Sequence, residues 1–213
     1  MKRIQYILIF ILLFISFHSF SKTERFGTWL EFEVRKDFLK NFAFSVTPEF
    51  RFQDQFRLDE YMIEGKLSYQ PLKFLSLAGS YRLGTEIKNK GNVNYSRIAF
   101  DVQASQSFNR FEAALRTRYT TNSESQEDEA GKYFRPRVSL DYNIQGNKIT
   151  PFVSYELFHN LNTGEAHKSR MDIGFSRGIG KLQRIELYYR LNDYFTDKQS
   201  FHILGFGYRL RFR

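Results

Sequence analysis

The sequence predicts an all-β fold: an antiparallel transmembrane β-barrel of about ten to twelve strands around a polar, charged lumen. Three observations carry this reading. Segment after segment alternates apolar and polar residues with period two, as successive Cβ atoms on a strand must. The polar face of nearly every segment mixes Arg with Glu or Asp. The segments also run roughly ten to thirteen residues, enough for the about 9–11 that a tilted strand needs to cross hydrocarbon.

The pattern is clearest over 133–160, YFRPRVSLDYNIQGNKITPFVSYELFHN. On its first arm Phe134, Pro136, Val138, Leu140, Tyr142 and Ile144 share one face, and Tyr133, Arg135, Arg137, Ser139, Asp141 and Asn143 the other. After Gln145-Gly146-Asn147-Lys148, residues Pro151, Val153, Tyr155 and Leu157 oppose Phe152, Ser154, Glu156 and Phe158. Gly-Asn inside a short polar turn marks an antiparallel hairpin.

Residues 1–21 read as a cleaved signal peptide and 22–213 as a single barrel domain. Met1-Lys2-Arg3 is basic, an apolar run extends from Ile7 to Phe17, and Ser19-Phe20-Ser21 offers a small-residue cleavage site. The run is too short for a membrane-spanning helix of about 20 residues. With no cysteine, a disulfide framework and a lipoprotein anchor are excluded. Removing Lys2 and Arg3 from a chain of net charge +9 leaves 30 basic and 23 acidic residues, or +7. The basic residues are spread beside acidic ones along strands, which argues against nucleic acid as a partner and for lumen lining and contact with anionic head groups. A mean hydropathy of −0.48 with 18% aromatic residues suits a barrel, in which only alternate residues meet lipid.

Along the chain, the first strand sets Thr28, Leu30, Phe32 and Val34 against Trp29, Glu31, Glu33 and Arg35. The second sets Phe42 to Phe52 on even positions against Ala43, Ser45, Thr47, Glu49, Arg51 and Gln53, with a bulge or local edge expected at Pro48. The third and fourth present Tyr61, Ile63, Gly65, Leu67 and Tyr69, then Leu75, Leu77, Gly79, Tyr81 and Leu83. The fifth and sixth carry Ile98, Phe100, Val102 and Ala104, then Ala113, Leu115, Thr117 and Tyr119. Beyond the hairpin come Met171, Ile173 and Phe175, then Ile185, Leu187, Tyr189 and Leu191, and finally Leu204, Phe206, Tyr208, Leu210 and Phe212. Longer polar connections are expected over 87–94, 121–131, 159–168 and 192–199, alternating with short turns. The count is eleven, whereas single-chain bacterial barrels usually have an even number, so ten or twelve strands are expected. The acidic connection 121–131, with Glu124, Glu127, Asp128 and Glu129, reads as a solvated loop rather than a divalent-cation site, since its spacing matches no metal pattern.

Alternation alone also fits a soluble secreted barrel that binds a ligand inside an apolar cavity. The aromatic load of the apolar faces, the strand lengths and the ending Gly207-Tyr208-Arg209-Leu210-Arg211-Phe212 favour the membrane form. That ending resembles the C-terminal signal read by the barrel-insertion machinery, with Arg213 after the aromatic residue.

With lipid outside, the charged faces become the lumen. From the first five strands Glu31, Glu33, Glu49, Arg51, Glu64, Arg82, Arg97 and Asp101 project inward. From the sixth to the eighth come Arg116, Arg118, Arg135, Arg137, Asp141 and Glu156, and from the ninth and tenth Arg170, Asp172, Arg184, Glu186 and Arg190. Arginine's planar fork suits bidentate pairing with carboxylates, so a salt-bridged interior is expected for most of them; a selectivity lining is the functional alternative.

Trp29 on the opening strand, Arg135-Pro136-Arg137, Glu156-Leu157-Phe158-His159-Asn160 and Arg170 followed by Gly174 resemble the β-barrel family known as domain of unknown function 2490. The resemblance implies a barrel in the bacterial outer membrane, with lipid and lipopolysaccharide as surroundings and no established activity. Where members often carry Glu after the basic pair of the sixth strand, this chain has Arg116-Thr117-Arg118-Tyr119-Thr120.

No cofactor or metal is expected. The rival class is a lipid-modifying hydrolase, which needs a nucleophile, a histidine and an orienting group within reach. His159 and His167 fall in or beside one loop, His202 lies near Ser200, and alternation turns Ser154 and Glu156 inward. These residues make no catalytic constellation, and a small channel or a structural or binding component is the leading expectation.

Overall fold

A computed structural model describes residues 23–53, 55–122, 131–196 and 199–212. Both the proposed signal peptide and loop residues 123–130 lie outside the described residues. The chain forms one closed barrel of eleven strands: β1 (Thr23–Leu39), β2 (Phe42–Gln53), β3 (Arg57–Leu72), β4 (Leu75–Glu86), β5 (Val93–Phe108), β6 (Phe111–Asn122), β7 (Gly131–Tyr142), β8 (Ile149–Asn160), β9 (Glu165–Ile179), β10 (Gln183–Tyr194) and β11 (Gln199–Phe212). Sequence neighbours pair antiparallel, and the ring closes through a parallel pairing of β1 with β11, from Thr23↔Gln199 to Lys36↔Phe212.

The eleven counted strands are therefore all present, and the expected even number is overturned. An up-and-down chain with an odd number of strands brings its first and last strands together in the same direction, and here the seam accepts that. Three things hold it besides backbone hydrogen bonds. Trp29 of β1 packs with Phe201 and Ile203 of β11 in an apolar cluster joined by Tyr194. Arg209 donates to Glu33 across the seam, and Arg211 pairs with Asp37 at 2.7 Å.

Connections differ at the two ends. One end, here the turn end, has the two-residue turns Lys40-Asn41, Lys73-Phe74 and Asn109-Arg110, together with 143–148 and 180–182. Asn41 and Asn109 sit at φ 72° and 54°, a left-handed conformation that asparagine tolerates better than most residues. At the loop end lie the ends Gln53, Glu86, Asn122, Asn160 and Tyr194 and the starts of the strands that follow them, with 87–92 and 161–164 as described connections. Several connections are shorter than the sequence implies: β8 runs through His159, β9 begins at Glu165, and β10 extends to Tyr194. Polar alternation ends before the hydrogen-bonded ladder does.

All four prolines fall where one side of the ladder lapses, as a residue without an N–H requires. The β1–β2 register passes from Glu31↔Glu49 to Val34↔Val46 without a shift, so Pro48 makes a gap in pairing rather than a bulge. Pro136 faces a similar gap between Phe134↔His159 and Arg137↔Glu156. Pro151 lies just past the end of the β7–β8 ladder, and Pro71 lies in the β3–β4 irregularity between Tyr69 and Leu72.

The outward faces are apolar and exposed, among them Phe100 at 59%, Val138 at 58% and Leu204 at 55%. Outward apolar residues span nine positions on β4 (Leu75 to Leu83), on β8 (Ile149 to Leu157) and on β11 (Leu204 to Phe212). At about 3.4 Å per residue and a tilt near 40°, such a span is about 20–25 Å tall, matching the band of a membrane barrel. This arrangement is the reverse of a soluble ligand-binding barrel, whose apolar residues face inward.

Inside, aromatic rings lie over glycines. Tyr188 is paired with Gly174 on one side and Gly205 on the other, and a Cβ on Gly205 would stand 2.0 Å from the Tyr188 ring. Tyr95 covers Gly84 in the same way, and Phe201 covers Gly27. These pairings fill the lumen where a glycine leaves room and let the sheet curve. Gly205→Ala is expected to lower stability by about 1–3 kcal/mol through overpacking, and by clearly less in a Tyr188→Ala background. Urea unfolding of the four proteins of that cycle in detergent checks this; equal losses in both backgrounds would refute the packing account.

Candidate functional site

Strand alternation carries the charged residues into one chamber of about 320 Å³. Of the nineteen charged residues expected in the lumen, sixteen line it. Asp101 stands just behind the wall, where it takes two bonds from Arg118 at 2.6 and 2.7 Å. Asp141 and Arg184 sit instead at the turn-end rim, 3.9 Å apart and substantially exposed, outside the chamber.

The ion pairs form a connected lattice. Arg51 donates to Glu49 and to Glu60, both at 2.7 Å, and Arg82 bridges Glu64 at 3.1 Å and Glu49 at 3.5 Å. Arg190 grips Asp172 with two bonds of 2.7 and 3.0 Å, and Arg137 reaches the same carboxylate at 3.3 Å. Glu156 accepts from Arg116 at 2.7 Å and from Arg135 at 3.2 Å. The bidentate Arg–carboxylate geometry expected from the residue types is present at Arg118 and Arg190.

Toward the loop end the lumen is filled by stacked rings and cations. Phe158 has Arg135 at 4.0 Å, Lys168 at 4.8 Å and Arg170 at 5.0 Å from its ring centre. Trp29 has Arg51 at 3.8 Å, Arg190 at 4.9 Å and Arg170 at 5.5 Å. Arg170 thus joins the two rings, and its Nε is held by Asn192 at 2.8 Å. Each such contact is worth about 0.5–2 kcal/mol, the upper figure when desolvated. His167 extends the stack: its ring contacts Tyr133 and Tyr194, whose hydroxyl accepts from Lys168 at 3.3 Å.

Burial follows a gradient. At the loop end Tyr133, Lys168 and Ile203 are 0% exposed and Phe158 1%. At the turn end the side chains of Arg184, Arg209 and Arg211 are 41%, 46% and 48% exposed. Among the described residues, the long side chains of the lumen are thus buried toward the loop end and partly exposed at the turn end.

Several members of this site were outside the expected set. Lys66 and Arg209 have the right parity on their strands and were legible by the same rule. Glu60 and Lys168 lie at strand ends that carry no clear alternation. His167, expected in a loop, sits in β9 beside an irregularity in the β8–β9 register between Phe158 and His159, and it points inward. Of the residues weighed for hydrolysis, Ser154 donates to Asp172 at 3.4 Å, and Glu156 is held by its two arginines. His202 lies outside, stacked on Phe26 and bonded to the Tyr189 hydroxyl.

An apolar exterior, a ring without a free edge and an ion-paired interior stoppered by aromatic residues define a closed β-barrel of the membrane type in its surface character. The chain belongs to the family described as protein of unknown function (DUF2490), whose sequence model matches residues 26–201, from the first strand to the start of the last. No curated protein and no solved structure matches this chain.

Glu156→Gln removes the carboxylate shared by buried Arg135 and part-buried Arg116 and is expected to cost about 3–5 kcal/mol. Asp141→Asn at the exposed rim is expected to cost less than about 1 kcal/mol. Urea midpoints in lipid vesicles compare the two, and a Glu156 variant as stable as the Asp141 variant would remove the network from the stability account.

Proposed function

We propose that this protein is an integral outer-membrane β-barrel that serves as a non-enzymatic binding or structural component, with its lumen closed at the loop end. The apolar belt supports residence in a bilayer, and the alternation of short turns with longer loops supports placing the turn end in the periplasm. Outer-membrane lipid and lipopolysaccharide are then its surroundings, and the last strand is its contact with the insertion machinery. The observation that carries the proposal is the burial gradient. A conducting pore needs an unbroken wet path, and the stack of Trp29, Phe158, Arg170, Lys168 and Tyr133 interrupts it. A non-enzymatic role is supported by the commitment of Ser154 and Glu156 to partners within the network.

The test is single-channel recording of the refolded barrel in a planar bilayer. The unsubstituted protein is expected to be silent, and the double substitution Phe158→Ala with Lys168→Ala to give discrete conductance steps. Ohmic steps from the unsubstituted protein would show an open pore and overturn the proposal.

A further inference from the structure

The charges of the chamber are not evenly mixed. Eleven lining residues are Arg or Lys and seven are Glu or Asp; Asp101 and Glu60, set behind Arg118 and Arg51, still leave the cations in excess. The excess is concentrated on one wall by strand register. Arg82 stands directly opposite Arg97, Arg118 opposite Arg135, and Arg116 opposite Arg137. Like charges directly across a strand pair repel, and such pairs persist only where something offsets them. Glu64 answers Arg82, Asp101 answers Arg118 and stands 3.9 Å from Arg116, and Glu156 is shared by Arg116 and Arg135. Across the chamber the charges are mixed: Glu31 stands opposite Glu49 with Glu33 and Glu186 nearby, and Arg51, Arg190 and Arg209 lie among them.

Of the three arginine pairs, Arg116–Arg137 is the one nearest the turn end. Side-chain exposure falls from 25% at Arg137 and 18% at Arg116 to 12% at Arg118 and 5% at Arg135. Arg137 has a single long contact, 3.3 Å to an Asp172 that Arg190 already holds, and the buried Nε of Arg116 makes no hydrogen bond, standing 3.9 Å from Asp101. Guanidinium forks in this state match the oxygens of a phosphoryl group.

We propose that the chamber is a binding site for a small polyvalent oxyanion of the phosphate or phosphate-ester class, admitted from the turn end and held between Arg116 and Arg137. The site deepens the binding role proposed above and rests on the closed loop end only for its direction of access. A volume of about 320 Å³ fits a ligand the size of a phosphorylated small metabolite.

Calorimetric titration of the full mature barrel, refolded in detergent, with inorganic phosphate and separately with glycerol phosphate tests this at constant ionic strength. Saturable binding of either is expected. Tighter binding of glycerol phosphate identifies an ester ligand, and tighter binding of inorganic phosphate the free ion. Arg137→Gln and Arg116→Gln should each weaken binding about tenfold or more, as loss of a charged hydrogen bond does. Both leave every carboxylate of the wall with an arginine, so the barrel should fold, and its heat-modifiable gel mobility verifies that. Arg211→Gln at the rim should leave binding unchanged. No saturable heat, an equal response to chloride, or unaltered binding in both chamber variants would overturn the site whatever the conductance result.

Discussion

An unpaired sheet edge leaves a row of N–H and C=O groups without partners, and an apolar exterior offers them none. β1 must therefore meet β11, and eleven strands joined by hairpins deliver them pointing the same way. Parallel bonds are slanted and slightly weaker per residue than antiparallel ones. The seam compensates with length and with side chains. It runs the full span from Thr23 to Lys36, carries the Trp29–Phe201–Ile203 cluster in its loop half, and is crossed nearer the turn end by Arg209–Glu33 and Arg211–Asp37.

The same seam organises the interior. Trp29 belongs both to the cluster that closes the ring and to the cation stack that fills the loop half of the lumen. Charges deep in the lattice are desolvated, so they are tolerated where an opposite charge stands close, as at Arg51, Arg82, Arg118, Arg135 and Arg190. Arginine suits this role better than lysine, since a planar guanidinium can stack on Trp29 or Phe158 while donating to a carboxylate in its own plane. Arg135 and Arg51 do both. Closure, rigidity and the blocked loop end thus share one set of side chains.

Much of this was legible in the sequence, and what was not has a physical reason. Which residues face inward followed from period two, and for Glu49, Arg82, Glu156 or Arg190 the structure agrees. The alternation reports an apolar exterior on one side, so it ends where the apolar belt ends; strands that continue past the belt, as at His159 and Glu165, were read as loops. Strand direction at the seam depends on the total count, which a usual preference for even numbers obscured. The pairing of arginine with arginine along one wall of the lumen was hidden for another reason. It depends on which residues stand opposite one another, and register across separate hairpins is not written in any single segment.

The parallel seam also gives the molecule a head and a tail. Thr23 stands at the loop rim and Phe212 at the turn rim, separated by the height of the barrel. In a ring with an even number of strands the two ends share a rim, a few residues can join them, and the chain can be reopened at another loop to give the same barrel. Here a joining segment would have to pass through the stacked interior or along the apolar exterior. The eleven strands can be written in one order only, and a module fused at either end of the barrel is committed to one side of it.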